Sequence, residues 1–348
     1  MQKKVLILGV NGFIGESVAR KILCNSNYKI EGIDIDSWRI AKIPQGDRFR
    51  FYKFDALKNK ALVEEAVKNS DIVLPLIAVA TPSTYVKNPL FVYNLDFELN
   101  ADIVKMCVRH KKRVVFPSTS EVYGMCPDES FDEYESNFVL GPIKNERWIY
   151  SCIKQMLDRL IWAYGKHEGL QFTLFRPFNF IGPKLDNVNA PNEGDSRVLT
   201  QFIHNILNSR ALKIVNGGMQ KRCFTFIDDG ADCIMKILQN DNGCADSKIF
   251  NIGNPNCEYS IKELAVELIN TFCEYPQFAH LAENVVLEYQ DGAQYYGEGY
   301  QDMSRRIPNI SQARNLLGWE PKTSLKESLR LILDYHLLKK DYEASIQS

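Results

Sequence analysis

The chain contains no apolar run long enough to cross a membrane, no internal repeat, no low-complexity tract and no C-x-x-C pair. It also lacks charge of one sign: 42 Lys and Arg stand against 43 Asp and Glu, a net −1. That balance offers no general electrostatic pull toward nucleic acid or a membrane surface, so any anion site has to be built locally. Histidine is scarce, with five isolated residues, and neither a metal site nor a catalytic triad is expected of them. His110 is embedded in the charged run Arg109–Arg113, which reads as a solvated helix end. Nine cysteines form an odd, scattered set that suggests neither a zinc site nor a disulfide framework. A reducing, cytoplasmic compartment is expected. Cys24, Cys107, Cys152, Cys233 and Cys273 fall in helix-like patterns and read as small buried hydrophobes. The first apolar run begins at Lys4, so no signal peptide is expected.

What is present is more specific. With 348 residues, 45% of them hydrophobic, the chain can bury a sizeable core in one large domain or two modest ones. It opens with Lys4-Val5-Leu6-Ile7-Leu8-Gly9-Val10-Asn11-Gly12-Phe13-Ile14-Gly15, an apolar run feeding three glycines. Asp34 ends a second apolar stretch 19 residues after Gly15. This is the layout of a strand, a glycine turn, a helix and a second strand with a ribose-binding carboxylate at its tip. Gly9 permits the tight turn, Gly12 lets backbone approach a pyrophosphate, and Gly15 lets the helix pack on the sheet. The helix N-terminus then offers N–H groups to the phosphates. A carboxylate at Asp34 accepts hydrogen bonds from both ribose hydroxyls and repels a 2′-phosphate, so NAD is favoured over NADP. Arg39 lies close enough in sequence to blur that preference.

Residues 1 to about 120 alternate apolar strands (Lys4–Leu8, Lys29–Ile33, Phe49–Phe54, Ile72–Leu76, Arg113–Phe116) with helices such as Ile14–Leu23 and Leu95–Arg109. Such alternation implies right-handed crossovers and a parallel sheet. The expected fold is α/β: a Rossmann-type, doubly wound parallel sheet with a smaller C-terminal substrate-binding lobe. Tyr150–Tyr164 reads as a long amphipathic helix and Phe172–Arg176 as a further strand. Residues 1–176 are assigned to the dinucleotide-binding domain, with later segments returning to it, 177–338 mainly to the second lobe and 339–348 to a flexible tail. Ser260–Cys273 is a helix with Ser260 as its N-cap, and Leu325–Leu338 is the last helix.

Two runs carry chemistry. Pro117-Ser118-Thr119-Ser120-Glu121-Val122-Tyr123-Gly124 directly follows a strand, and Tyr150-Ser151-Cys152-Ile153-Lys154 opens a helix. Tyr and Lys four apart share a helical face. A lysine ammonium beside the phenol, with a nicotinamide cation nearby, favours the phenolate and makes Tyr150 a general base for an alcohol losing hydride. Thr119 would hydrogen-bond the same alcohol. Lys213 and Arg222 bracket the Gly217-Gly218 turn, and a guanidinium suits bidentate phosphate binding. Asn179 follows a strand and a proline, where an amide can reach sugar or phosphate. Arg306, in Ser304-Arg305-Arg306-Ile307-Pro308, reads from sequence alone as part of a solvated basic pair.

Taken together, these residues resemble the extended short-chain dehydrogenase/reductase family, the NAD-dependent epimerases and dehydratases that act on nucleotide sugars. The resemblance spans essentially the whole chain. The runs Pro117–Cys126, Arg147-Trp148-Ile149-Tyr150, Phe175-Arg176-Pro177-Phe178-Asn179, Gln220-Lys221-Arg222-Cys223-Phe224-Thr225 and Tyr295–Asp302 look like the UDP-glucuronic acid decarboxylase domain of the bifunctional polymyxin-resistance enzyme. The resemblance implies that Glu121, Tyr150, Lys154 and Arg306 are catalytic, with Thr119 and Ser120 beside the sugar. It implies UDP-sugar contacts from Ala80, Tyr85, Arg147, Asn179, Lys213, Arg222 and Tyr300. It implies cofactor contacts from Asp34 and Asp55. The expected NAD-binding set is Gly9, Asn11, Gly12, Phe13, Ile14, Gly15, Asp34, Asp55, Ala56, Tyr150 and Lys154. The bifunctional enzyme carries a formyltransferase domain ahead of this one. The present chain starts at the dehydrogenase, so formylation is not expected of it.

The activity implied is oxidation and decarboxylation of UDP-glucuronic acid to UDP-4-keto-pentose by a homodimer using NAD. A UDP-xylose synthase, which reduces the ketone again, would use the same residues. UDP-apiose/UDP-xylose synthesis resembles this site but carries a cysteine where Ser120 sits. A nucleotide-sugar 4-epimerase fits less well, because Glu121 and Arg306 together suit an acidic substrate. A protein that only senses dinucleotide would typically have lost the Tyr150–Lys154 pair.

Overall fold

The computed structural model of the chain describes residues 2–189, 196–296, 301 and 303–339. Its centre is a seven-stranded sheet in the order β11-β6-β5-β4-β1-β2-β3, parallel throughout. β1 (Lys4–Leu8), β2 (Lys29–Asp34) and β3 (Phe49–Lys53) are joined by α1 (Phe13–Asn25) and a loop. α2 (Lys60–Lys68) leads to β4 (Ile72–Pro75), which lies on the other side of β1. The strand order therefore reverses between β1 and β4, and a crevice opens beyond their carboxyl ends, the usual ligand site of such sheets.

Short helices α3 (Pro82–Lys87) and α4 (Pro89–Val92), a π-helical turn at Tyr93–Leu99 and α5 (Asn100–Arg109) connect to β5 (Arg113–Pro117). The long α6 (Trp148–Glu168) precedes β6 (Phe172–Pro177). β1, β4 and β5 are buried along almost their whole length, as expected for strands covered on both faces. One face packs on α1 and on α8 (Ile227–Gln239) through Val18, Ala19, Ile22, Ala231, Ile234 and Ile237. The other packs on α2, α5 and α6 through Val63, Val67, Ile103, Val104, Leu157 and Ile161. β11 (Lys248–Ile252) returns from late in the chain to pair with β6.

A smaller lobe covers the carboxyl end of the sheet. It contains β7 (Phe180–Ile181), α7 (Val198–Leu207), β8 (Leu212–Val215), β9 (Lys221–Cys223) and β10 (Thr225–Phe226). Later segments add β12 (Glu258–Ser260), α9 (Ile261–Cys273), α10 (Ala279–Ala282), β13 (Leu287–Gln290) and α11 (Gly292–Tyr296), then α12 (Ser311–Leu317) and α13 (Leu325–Leu337). The small lobe has its own core, with Phe202, Ile206, Leu264, Leu268 and Leu329 at its centre, whereas α12 packs back on the large sheet. α9 starts with a capping box in which Ser260 and Glu263 satisfy each other's backbone N–H groups.

Three expectations are corrected. The helix expected over Leu95–Arg109 divides into the π-helical turn and α5. All five cysteines named above lie on helices, but only Cys107 and Cys233 are buried; Cys24, Cys152 and Cys273 are exposed. Periodicity marked the helices without fixing which face each sulfur takes. Arg113 does not extend a solvated helix end. It is buried and donates to the carbonyls of Ile237 (2.9 Å) and Leu238 (3.4 Å) at the end of α8, where a cation satisfies orphan acceptors. The expected tail beyond residue 339 and the expected contact Tyr300 lie outside the described residues.

Candidate active site

The crevice beyond β1 and β4 is a cleft of about 470 Å³ between the sheet and the small lobe. Its floor is the turn after β1. Gly9 sits at φ +85, a left-handed conformation with backbone of Leu76 close by, and the N–H of Gly12 donates to Gly9 O at 3.0 Å. A methyl on Gly15 would fall 2.3 Å from Gly9 O, so α1 can approach the strand only because that position is bare. No side chain caps α1, and Phe13, Ile14 and Gly15 of its first turn line the cleft. Such a terminus favours negative charge.

Asp34 ends β2 beside this turn. Its carboxylate accepts N–H bonds from Asn11 (2.8 Å) and Ile35 (2.7 Å). Burial pushes its carboxyl above the ordinary value, against the lowering effect of those N–H groups. The Asn11 side chain accepts the N–H of Arg39 at 2.7 Å and so fixes the turn. The Arg39 guanidinium is committed elsewhere: Nε donates to Lys184 O (3.0 Å), Nη2 to Leu185 O (3.1 Å) and Nη1 to Asn11 O (3.3 Å). The bare glycine cradle, the uncapped helix and the lone carboxylate fit a dinucleotide without a 2′-phosphate. Asp55 and Ala56 follow β3, next to the end of β2, where the N–H of Phe54 donates to Asp34 O at 3.0 Å. They do not line the cleft; Asp55 accepts the N–H of Leu57 at 2.9 Å.

Tyr150 and Lys154 enter the cleft from the first turns of α6. Lys154 is buried and donates to Pro117 O at 2.8 Å, with its Nζ 5.9 Å from the centre of the Tyr150 ring. Tyr85 does not line the cleft; it stacks on Tyr150 from behind, with centroids 4.6 Å apart and planes 6° from parallel. In this state burial pushes the Tyr150 phenol strongly upward, and Asp96 and Glu121 push the same way; a hydrogen bond with the Thr119 side chain and the charge of Arg197 oppose them. The expected lowering of the phenol by Lys154 is not seen in this state: desolvation dominates, and the groups that oppose it are Thr119 and Arg197.

The other end of the cleft is built from paired charges. Glu121, in a short 3₁₀ turn after β5, accepts from both guanidinium ends of Arg147, at 3.0 and 3.2 Å. It also accepts from Arg306 at 3.4 Å. Both arginines are buried, at 1% and 5% exposure. Arg306 is therefore no solvated basic residue. Its neighbour Arg305 is the exposed one and pairs with Glu258 at 2.6 Å. The 303–309 segment is held on two sides. The N–H of Lys221 on β9 donates to Ser304 O at 2.8 Å, and Arg222 donates to Met303 O at 2.9 Å. The N–H groups of Phe131 and Asn309 exchange bonds with Ile307 O (2.7 Å) and Phe131 O (2.9 Å).

Fifteen of the residues expected to bind or react line this one cleft: Gly9, Gly12, Phe13, Ile14, Gly15, Ala80, Thr119, Glu121, Arg147, Tyr150, Lys154, Asn179, Lys213, Arg222 and Arg306. Asn11, Asp34, Tyr85 and Ser120 back the lining residues. Asn179 sits at φ +40 just past β6, and its buried Nδ2 has no partner among the described residues, a donor left for a ligand. Arg197 also lines the cleft, beside its partner Asp186, and was missed because nothing in the Asn-, Gly- and Pro-rich stretch around it marks it out. Asp96 was missed although a signal existed: it shares a helical face with Leu99, Asn100, Ile103 and Cys107, all buried. Among the described residues no cluster of His, Cys, Asp or Glu could hold a metal ion, and no helix is long and apolar enough to cross a membrane.

Residues 5–253 match the model of the NAD dependent epimerase/dehydratase family. Among solved structures, the PbgP3 protein from Burkholderia pseudomallei is 47% identical over 96% of both chains, with a TM-score of 0.87. UDP-glucuronic acid 4-epimerase from Bacillus cereus, solved with UDP-glucuronic acid and NAD, is 21% identical over 95% of this chain and 98% of that one, with a TM-score of 0.80. dTDP-glucose 4,6-dehydratase from Bacillus anthracis, solved with NAD, is 19% identical over 98% of both chains, with a TM-score of 0.77. The last two likenesses are of fold.

Proposed function

The chain belongs to the NAD-dependent epimerase/dehydratase family, and from that premise we propose that it oxidises and decarboxylates UDP-glucuronic acid to UDP-4-keto-pentose (UDP-β-L-threo-pentopyranos-4-ulose), releasing carbon dioxide and NADH. Its cofactor is NAD. Residues 1–176 would hold the cofactor, and segments within 177–338 most of the UDP-sugar. The observation that carries the reading is the triad of Glu121 with Arg147 and Arg306 in the cleft that Tyr150 enters. Buried guanidiniums in the cleft that Tyr150 enters suit a substrate that brings its own carboxylate. Lys213, Arg222 and Asn179 farther along the cleft suit a pyrophosphate and sugar.

When bound, the nicotinamide supplies a hydride acceptor for the sugar C4. Tyr150 takes the C4 hydroxyl proton, and Thr119 bonds the same oxygen. Burial holds the phenol protonated in this state, so the base function requires the added positive charge of an occupied site. The C4 ketone lies β to the C5 carboxylate. As carbon dioxide leaves, its bonding electrons delocalise onto the ketone oxygen, where hydrogen bonds from Tyr150 and Thr119 hold the enolate. Arg306 orients the departing carboxylate and Glu121 orients Arg306. Protonation at C5 then completes the product.

We also take the enzyme to be a cytoplasmic homodimer. Exposed Leu90, Phe91 and Tyr93 lie near exposed Met156 on α6, and all nine cysteines are free. Incubation with UDP-glucuronic acid and NAD tests the activity. NADH absorbance should rise together with a nucleotide sugar lighter by carbon dioxide and two hydrogens. A product of unchanged mass would make the enzyme an epimerase, and UDP-xylose without net NADH would mark the re-reducing enzyme. Sedimentation at equilibrium tests the dimer.

A further inference from the structure

Asp96 is buried with no exposure, near enough to Tyr150 and Lys154 for its charge to act on both. It stands in the π-helical turn Tyr93–Leu99, which packs along α6. A wide turn of this kind inside a helical stretch is uncommon and recurs at functional sites. Here it is stitched down by Asn100, whose side-chain N–H groups donate to Asp96 O (3.0 Å), Leu95 O (3.4 Å) and Ile77 O (3.0 Å). One carboxylate oxygen of Asp96 accepts the N–H of Val79 at 2.8 Å. The other is buried with no hydrogen-bond partner among the described residues. A buried acid with half its acceptors unused is costly unless charge nearby compensates it. The titratable groups that face it are Lys154 and Tyr150 from α6 and Tyr85 from α3.

We propose that Asp96 is a positioning residue for the reaction described above: buried near the Tyr150–Lys154 pair, its carboxylate holds Lys154 as an ammonium and sets the pH at which the Tyr150 oxygen can accept a proton. Burial lowers Lys154, and Asp96 and Asp158 are the charges that pull it back up. Both acids keep one buried oxygen without a partner among the described residues, but Asp158 is already bonded to the Arg176 guanidinium at 3.1 Å and to Ser118 at 2.8 Å, whereas the Asp96 carboxylate is bonded to a backbone N–H. Its own carboxyl is pushed up to about 7 by burial, with Lys154 opposing. It therefore gains and loses its charge near neutral pH. An Asp96 anion also works against the tyrosinate, and the three groups titrate as one unit.

The inference rests on the reading of Tyr150 and Lys154 as the reacting pair, and its test separates the two. Asp96→Asn keeps the shape and the acceptor for Val79. Removing the anion lets Tyr150 ionise at lower pH and lets Lys154 lose its proton at lower pH. Both limbs of the pH–rate profile should move to the acid side by about one unit. Asn100→Ala loosens the same turn and keeps the charge, so it should lower the rate without moving either limb. Superposable profiles for wild type and Asp96→Asn, or equal displacements in both variants, overturn the proposal. Infrared difference spectra with NAD bound give a readout independent of turnover. A protonated-carboxyl band that titrates near neutral pH should vanish in Asp96→Asn, leaving the contribution of Glu133, which burial also raises to about 7. If the band survives unchanged, the proposal fails even if the substrate is right. If the band behaves as expected but UDP-glucuronic acid is not turned over, the substrate assignment fails alone.

Discussion

The two ends of the cleft are made in different ways. The end proposed to hold the cofactor is backbone: one continuous turn from Gly9 to Gly15, bare of side chains where α1 must approach, with Asp34 at the next strand tip. The end proposed to hold the sugar is side chain: Glu121, Arg147, Arg222 and Arg306 come from four separate segments, and two of the arginines meet on one carboxylate. Backbone sites exclude atoms, so their signature in sequence is an absence, a glycine at fixed spacing. Charged sites depend on long-range pairing, so their residues look like any surface arginine until the fold brings them together.

Substitutions can break this comparison. The largest loss is expected where the two ends meet: Tyr150→Phe should lower NADH formation by about 100- to 10,000-fold, the usual contribution of a positioned acid–base group. Full activity in that variant would remove Tyr150 from the mechanism. Arg306→Ala and Glu121→Ala should lower carbon dioxide release about 100-fold, with KM for the nucleotide sugar changing far less. An effect confined to KM would make the triad a binding site only. At the backbone end, Gly15→Ala forces a methyl against Gly9 O, and strain of about 1–3 kcal/mol should weaken NAD binding about 10- to 100-fold in a calorimetric titration while sparing the sugar end. The smallest effect belongs to Arg305→Ala. Its exposed pair with Glu258 contributes at most about 1 kcal/mol, so kcat should stay within about threefold. A loss equal to that of Arg306→Ala would mean that the 303–309 segment, and not the buried guanidinium, is what matters.

The same contrast explains what could be read without coordinates. Six of the seven strands of the large sheet were legible because apolar strands alternate with amphipathic helices, and their observed ends differ by no more than one residue; β11, which returns from late in the chain, was not marked as a strand. The turn after β1 was legible for the reason just given. Arg306 was not: in sequence it cannot be told from Arg305, and only the resemblance to a known decarboxylase domain distinguished them before the burial of one and exposure of the other did. The π-helical turn was hidden because Leu95–Arg109 keeps a helical period through it. Asp96 on the apolar side of that period was the one local sign that something other than packing was at stake.

Arg39 bears on redesign. A basic residue this close to the aspartate proposed to bind the ribose is the obvious choice for anyone wishing to retarget the enzyme to NADP by replacing Asp34. That choice would unfasten the backbone at 184–185, which Arg39 clasps from across the nucleotide turn. Swapping the coenzyme therefore calls for importing a fresh positive charge; reassigning the resident one would trade coenzyme preference for a loosened wall of the cleft at Leu185.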